Sequence, residues 1–556
     1  MTFRLVLALA LACVLAASAD AGDLVLRGGA VYTLDPARPW ASAVVIRDGR
    51  IGYVGSDRGA GAFAAPGAQT IALHGRMVLP GFHDAHVHPM SAGLRLLQCR
   101  LEDARTRAQL AAAIRACASA KPPGAWLQGI GWPARLFGPE GPSRAMLDAI
   151  VSDRPVFLRT EDGFTAWVNS KALALAGIDA RTPDAPGLDR DPRNHEPAGL
   201  LHDDAIALVR SHIPAPTQAE YRQALRRVTA QSNSFGVTSL FDASANAAML
   251  DAYHAADLAN ELTVRVVAAQ HVDPAAGPEQ VDAFVARRDR VRGHYFRADA
   301  AKIFLDGEID RHTAALLAPY ADRPDFRGSL LLPAGRLDAI VERLDAEGFL
   351  IHMHAMGDGA VRAGLDSIEL AMKANGPRDR RDQIAHVGVA DPADIPRFAQ
   401  LGVTANFQPL WFPASDPSAG PTEAVLGPDR ARWIMPMASI AAAGGRIVAG
   451  SDWPATSLNP LDGIQAAITR QPPDGSLPPR QPQERVSLAA ILAAYTRDAA
   501  WVVREDGIDG RIVVGNAADL VVLDHDLFKV KPVNLHKTRV LLTLLDGRTV
   551  YRATTF

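Results

Sequence analysis

Two histidines two positions apart, His86 and His88, stand at the end of a short apolar run that begins at Met77. In an extended strand, residues i and i+2 point to one face. Both imidazoles can therefore aim into a single cavity, where they could grip a metal ion. Alone, the pair reads as well as two histidines on an exposed strand end. Four further residues extend the theme. Lys302 reads as opening an apolar strand just before Asp306-Gly307, and His354 and His386 close two more strand-like runs. Asp452 closes a last one, in Gly450-Ser451-Asp452-Trp453-Pro454. Each has an ordinary explanation: a structural histidine, a snorkelling lysine, an aspartate capping a helix. A lysine sunk in an apolar strand is costly, though, and loses proton affinity when desolvated. Four histidines, a lysine and an aspartate on strands of one repeating pattern point together to metal-assisted chemistry. His352, on the same strand face as His354, is either a supporting contact or a core histidine.

Side chains so far apart in sequence need a scaffold that returns the chain repeatedly to one place. After the histidine strand come seven more β-type runs: 236–242, 263–268, 301–306, 349–354, 383–386, 403–408 and 446–452. Most intervals hold a helix-length amphipathic or Ala-rich segment, such as 218–233, 278–290, 335–347 and 360–373. Eight strand–helix units predict an α/β fold, a (β/α)8 TIM barrel over 76–504, with its site at the C-terminal ends of the strands. The interval of about 92–216 is too long for a loop. It contains helix-like Arg107–Ala120 and Arg144–Ile150 and a strand-like run at 155–158, and reads as an inserted lid or subdomain over the barrel mouth. Short alternating runs with glycine turns over 22–75 find matching strands over 505–556. The two ends are expected to build a small β-sandwich together.

The 556 residues are 48% apolar and 21% charged, with a formal net charge of −3. That is globular composition with room for a large core and a second domain, and it argues against a nucleic-acid binder. Arg4, the apolar run Leu5–Ala17 and the small residues that follow form the pattern of a secretory signal peptide, residues 1–21, cleaved after Ala19 or Ala21. Export to a periplasm is the expectation, with no stable membrane span after cleavage; a lipid anchor at Cys13 fits less well. Cys99 and Cys117 then remain, either as one bridge or as two buried thiols.

The ordered set has a resemblance. Leu79-Pro80-Gly81-Phe82-His83-Asp84-Ala85-His86-Val87-His88, followed by Lys302, His354-Ala355-Met356-Gly357-Asp358, His386 and Gly450-Ser451-Asp452-Trp453-Pro454, resembles the amidohydrolase superfamily. It is most similar to the amidohydrolase-3, N-substituted formamide deformylase-like branch, from about Asp23 to the end. Two departures bear on substrate. Asp162-Gly163-Phe164 stands where relatives often read Asp-Gly-His, and Glu308-Ile309-Asp310-Arg311-His312-Thr313-Ala314 stands where a run of small residues leads to Arg-Thr-Ala.

The resemblance implies one or two divalent ions, zinc first, with Lys302 carboxylated on Nζ to bridge them. His86, His88 and Asp452 would hold one ion, and His354 and His386 the other. Asp452 would shuttle a proton while metal-activated hydroxide attacks a polarised carbonyl. Trp132, Asp306, His352, Asp358, Asn406 and Trp453 are candidates for lining the pocket or supporting the ligands. The expected activity is hydrolysis of a non-peptide C–N bond (amide, N-acyl or N-formyl) in a small molecule. Alternatives are hydrolysis of an ester, lactone or cyclic imide, and a binding protein without turnover on the same barrel. A homo-oligomer is left open.

Overall fold

Eight parallel strands follow one another in chain order around a single sheet. They are β1 (Phe82–Val87), β2 (Val237–Ala245), β3 (Arg265–His271), β4 (Phe296–Phe304), β5 (Leu350–Ala355), β6 (Gln383–His386), β7 (Thr404–Phe407) and β8 (Ile447–Ala449). Each pairs in parallel with the next. Just past β8, Asp452 N–H donates to His86 C=O at 2.7 Å, which draws the last strand back to the first. The computed structural model describes residues 23–160, 163–412 and 422–556. The expected signal peptide, with Cys13, and Asp162 of the departing motif lie outside the described residues.

Helices follow the strands because the sequence between them carries apolar residues at helical spacing. Ala334–Ala346 buries Leu337, Ile340, Val341 and Leu344, an i, i+3, i+4, i+7 stripe. Inside the barrel, small and branched side chains from successive strands share one core: Ala85, Phe241, Ala243, Val267, Ala269, Ala300, Leu350 and Val448. The eight expected strands are all present. Lys302, however, does not open its strand: β4 begins at Phe296, and Lys302 lies near its C-terminal end. Arg297 and Asp299 interrupt the apolar pattern and hid the first half of the strand from a reading based on hydrophobicity.

Both described ends of the chain join one eight-stranded sheet. Leu24–Tyr32 is a single strand; its register on Trp40–Arg47 slips between Arg27 and Val31, where Gly28 adopts a φ of +69°. That is the bulge a glycine pair permits. Met77–Pro80, the lead-in to the histidine strand, pairs with Leu24–Tyr32 on one side and Leu520–Leu523 on the other, Val78 opposite Val522. Leu24, Leu26, Val44, Ile46, Val522 and Leu544 share the core on one face of this sheet.

The N-terminal end of the barrel meets the sheet through buried charge. Arg265, the first residue of β3, reaches Asp519 at 2.8 Å and Asp546 at 2.7 Å. His83 Nε2 lies 3.1 Å from Asp509, and Tyr295 O–H donates to Asp546 at 2.6 Å. Burial alone would lower the His83 pKa; Asp509, with Glu505 and Asp519, more than reverses this and raises it.

Contact density separates a second unit, His88–Thr229 with Ala245–Glu261, from the barrel and terminal sheet. Its six-stranded sheet runs in the order Leu188–Arg190, Pro197–His202, Thr165–Val168, Val156–Arg159, Leu127–Ile130, Cys99–Arg100. The expected helix at 107–120 is Arg107–Ser119, and Cys117 within it is disulfide-bonded to Cys99. Among the described residues no helix is long and apolar enough to cross a membrane.

Arg265→Met should cost about 3–5 kcal/mol in chemical denaturation, because it leaves buried carboxylates unpaired. A raised folded pKa means that His83 contributes its full stabilisation below its unfolded value of about 6.5 and loses it as pH rises through the folded value. His83→Phe should therefore flatten the decline in denaturation midpoint over that alkaline-going window.

Candidate metal centre

β1 sets the first ligands. Asp84, His86 and His88 share one parity, and Asp84 and His86 are fully buried. His86 is fixed from both sides. Its N–H donates to Asp84 Oδ1 at 3.3 Å, and its Nδ1 meets His352 Nε2 at 2.9 Å. That contact turns the other nitrogen, Nε2, toward Asp452 Oδ1, 3.5 Å away. A partner on one imidazole nitrogen that orients the other is how metal-binding histidines are held. His88 comes two residues on, at the start of the helix Pro89–Arg95. Ligand atoms of His86, His88 and Asp452 all lie within 4.8 Å of one another.

The remaining histidines close in from the neighbouring strands. His386, at the end of β6, has its ring centroid 4.8 Å from that of His86 and 4.6 Å from that of His354. Burial first, then the nearby His354 and His86, hold the His386 pKa well below its ordinary value. A neutral imidazole is the form a metal requires. Among the described residues its buried Nδ1 has no hydrogen-bond partner.

Lys302 is the least ordinary member. It is fully buried, lies opposite His352 in the β4–β5 ladder, and its Nζ sits 4.6 Å from the Phe304 ring centroid. Among the described residues that nitrogen has no hydrogen-bond partner. Burial brings its pKa down to about 7, with Asp452 opposing. A buried amine without a hydrogen-bond partner among the described residues, with His352, His386 and Asp452 around it, fits a site completed by a cation. The group His86, His88 and Asp452 suits a divalent ion, and zinc or another imidazole-accepting metal fits the nitrogen-rich set.

Three strand-end residues here depart from ordinary backbone geometry. His386 (φ +71°), Val387 (+46°) and Asp452 (+55°) adopt left-handed conformations without being glycine. Such residues cost about 1–3 kcal/mol each and persist where the surroundings over-determine them. At Gly450 a Cβ would lie 2.3 Å from His86 N, so only glycine lets the two strand ends approach.

The structure sorts the supporting candidates. His352 touches His86 directly. Asp306 takes the backbone N–H groups of Ala315, Met356 and Gly357 and lies 3.8 Å from His354 Nε2, so it fixes two loops beside that ligand. Asp358 opens the helix Asp358–Asn375 and accepts Leu317 N–H. Asn406 donates to Ala85 C=O and Gln383 Oε1, tying β7 to β1 and β6. Trp453 is buried, its N–H on Ser451 Oγ. Trp132 packs among Phe137 and Trp167 in the second unit, its indole N–H on Leu158 C=O. Asp84 and Ser451 were not foreseen. Asp84 Oδ1 also accepts Ser451 N–H at 2.8 Å and so clamps β1 to the loop after β8. The available sign was an aspartate on the histidine face of an otherwise apolar strand.

Replacing Lys302 with Met should stabilise metal-free protein by about 1–3 kcal/mol, since a buried amine without a hydrogen bond is removed. The same variant should fail to retain metal through purification, as read by elemental analysis.

Known proteins resemble this chain in sequence and fold. A family model described as the amidohydrolase family matches residues 69–551. Protein LONG AFTER FAR-RED 3 of Arabidopsis thaliana is 30% identical over 542 residues, spanning 95% of this chain and 91% of that protein. N-substituted formamide deformylase of Arthrobacter pascens is 26% identical, spanning 96% and 99%. Among solved structures, a metal-dependent hydrolase from Pyrococcus furiosus superposes with a TM-score of 0.74 at 25% identity, covering 92% of this chain and all of that one. With its barrel, its histidine-rich strand ends and a family match over most of its length, the chain belongs to the amidohydrolase family.

Proposed function

We propose that the protein is a metal-dependent hydrolase that cleaves the C–N bond of an amide, N-acyl or N-formyl group in a small molecule. The observation carrying this reading is the convergence of His86, Lys302, His354, His386 and Asp452, with His88 alongside, at the C-terminal ends of barrel strands. The name of the Arthrobacter relative, a deformylase of N-substituted formamides, supports an amide over other carbonyl compounds.

His86, His88 and Asp452 would hold one divalent ion and His354 and His386 a second, with zinc the first candidate. Such ions supply Lewis acidity and lower the pKa of water to about 7. Lys302 would join the two as a carbamate. Its amine, brought to about pKa 7, is substantially neutral at neutral pH. A neutral amine adds to CO2, forms an N–C bond and releases a proton, leaving an anionic oxygen donor where an ammonium would repel cations. Asp452 would accept the proton of the attacking water and deliver it to the departing nitrogen. His352, through His86, and Asp306, beside His354, keep two imidazoles oriented while the proton moves.

We also propose export. The apolar N-terminal run supports it, and so does the Cys99–Cys117 disulfide, a bond favoured in oxidising compartments.

Metal-reconstituted protein should hydrolyse members of a panel of N-formyl and N-acyl amines in preference to matched esters, with the free amine as product. Ester cleavage alone, or no loss of activity with chelator, would overturn the reading. Asp452→Asn should lower kcat by about 10²–10⁴-fold with metal content largely kept; an unchanged rate removes Asp452 from its role.

A further inference from the structure

β3 ends on a histidine that the metal centre does not use. On its barrel-facing side the strand carries Val267 and Ala269, which sit in the barrel core, and then His271, its last residue. Gln270 faces the other way. Its Nε2 donates to Phe284 C=O on the helix Gln280–Arg290 and to Ala298 C=O, and its Oε1 accepts from Arg287. His271 lies opposite Lys302 in the β3–β4 ladder, as Ala269 lies opposite Ala300. Side chains alternate along a strand, so His271 is on the face of the sheet that carries Lys302. The apolar filling of the barrel thus gives way to an imidazole at the strand end, exposed where Val267 and Ala269 are buried.

Two contacts set this ring in place. Ser244, near the end of β2, has its Oγ 3.2 Å from His271 Nδ1. The Phe304 ring centroid lies 5.7 Å from that of His271, 5.3 Å from that of His354 and 4.6 Å from Lys302 Nζ. One phenyl ring therefore neighbours both His271 and two members of the metal centre, and part of Phe304 stays accessible to solvent. Among the described residues His271 Nε2 has no hydrogen bond. A ring held through one nitrogen, with the other open at an exposed position, is presented for contact with a bound group.

We propose that Phe304 and His271 form a subsite for the arm of the substrate beyond the bond that is cleaved. A flat apolar portion of the arm lies on Phe304, and His271 Nε2–H donates to an oxygen at its far end. This rests on the hydrolase reading above and narrows it to amides with an aromatic arm that carries a hydrogen-bond acceptor. Ser244 decides the direction of that bond: a hydroxyl donating to Nδ1 leaves the ring proton on Nε2, which then acts as a donor. His271 reaches the metal centre by way of the Phe304 ring, a place suited to holding the arm and not the metal.

The test uses the metal-reconstituted full chain and two amides matched in shape. N-formyl-4-acetylbenzylamine carries a carbonyl oxygen at the end of its ring, and N-formyl-4-isopropylbenzylamine does not. Wild type should favour the acetyl compound in kcat/KM by about 3- to 10-fold. The difference should fall in KM, since this bond is the same before and during the reaction. His271→Phe keeps a ring and should bring the ratio close to one. His271→Gln, whose amide can return an N–H near the place of Nε2, should restore part of it. A ratio near one in wild type, or a ratio unchanged in His271→Phe, overturns the proposal. Loss of metal from both variants also overturns it, by making His271 a support of the metal centre. If neither amide is cleaved, the hydrolase reading fails by itself, and ligand-observed NMR with 4-acetylbenzyl alcohol and 4-isopropylbenzyl alcohol judges the subsite separately. Tighter binding of the ketone that His271→Phe removes supports the subsite; equal binding of the two alcohols, or the same preference in both proteins, refutes it.

Discussion

The metal centre depends on a seam. β8 and β1 are the last and first strands of the barrel, hundreds of residues apart in the chain, and a few backbone contacts bring their ends together. Asp452 N–H donates to His86 C=O, and Asp84 takes Ser451 N–H. Gly450 leaves out the side chain that would otherwise collide with His86. Without this closure, His86 and Asp452 would belong to opposite edges of an open sheet. The left-handed backbone at Asp452 belongs to the same arrangement, since the chain must turn sharply after β8 to present the carboxylate. Its conformational cost is carried by the hydrogen bonds around it.

The two ends of the barrel handle buried charge differently. At the N-terminal end, Arg265 and His83 meet Asp519, Asp546 and Asp509, so cations and anions answer one another within the protein. At the C-terminal end burial and the neighbouring imidazoles hold the His386 pKa well below its ordinary value, and among the described residues Lys302 Nζ has no hydrogen-bond partner. One end pairs its charges within the protein. The other is built to be completed by something bound, which is the usual division of labour in this fold between stability below and chemistry above.

The sequence made the repeating pattern legible because buried parallel strands are nearly continuous apolar runs, and the helices between them carry a clear stripe. It also made His86 and His88 legible, since residues two apart on a strand must share a face. The start of β4 was obscured by Arg297 and Asp299, which are charged yet paired with one another at 2.8 Å. The His352–His86 contact could not be read, because no local pattern tells which core histidine meets which across a barrel. Nor could Asp84 and Ser451, whose partnership exists only after closure. Cys99 and Cys117 were visible as a pair, but their bond depends on how a helix packs on a two-residue strand.

The strand Met77–Pro80 lies between a partner from the start of the chain and one from its end, Leu520–Leu523. Only Gly81 separates it from β1. During synthesis, therefore, the segment leading directly into the first metal-binding strand waits with one edge unpaired until almost the whole polypeptide has emerged. Contacts of such long sequence separation form slowly, and an exposed strand edge invites pairing with other chains. The architecture that unites the termini beneath the barrel thus also sets a late step in its maturation, at which the newborn chain is most exposed to aggregation.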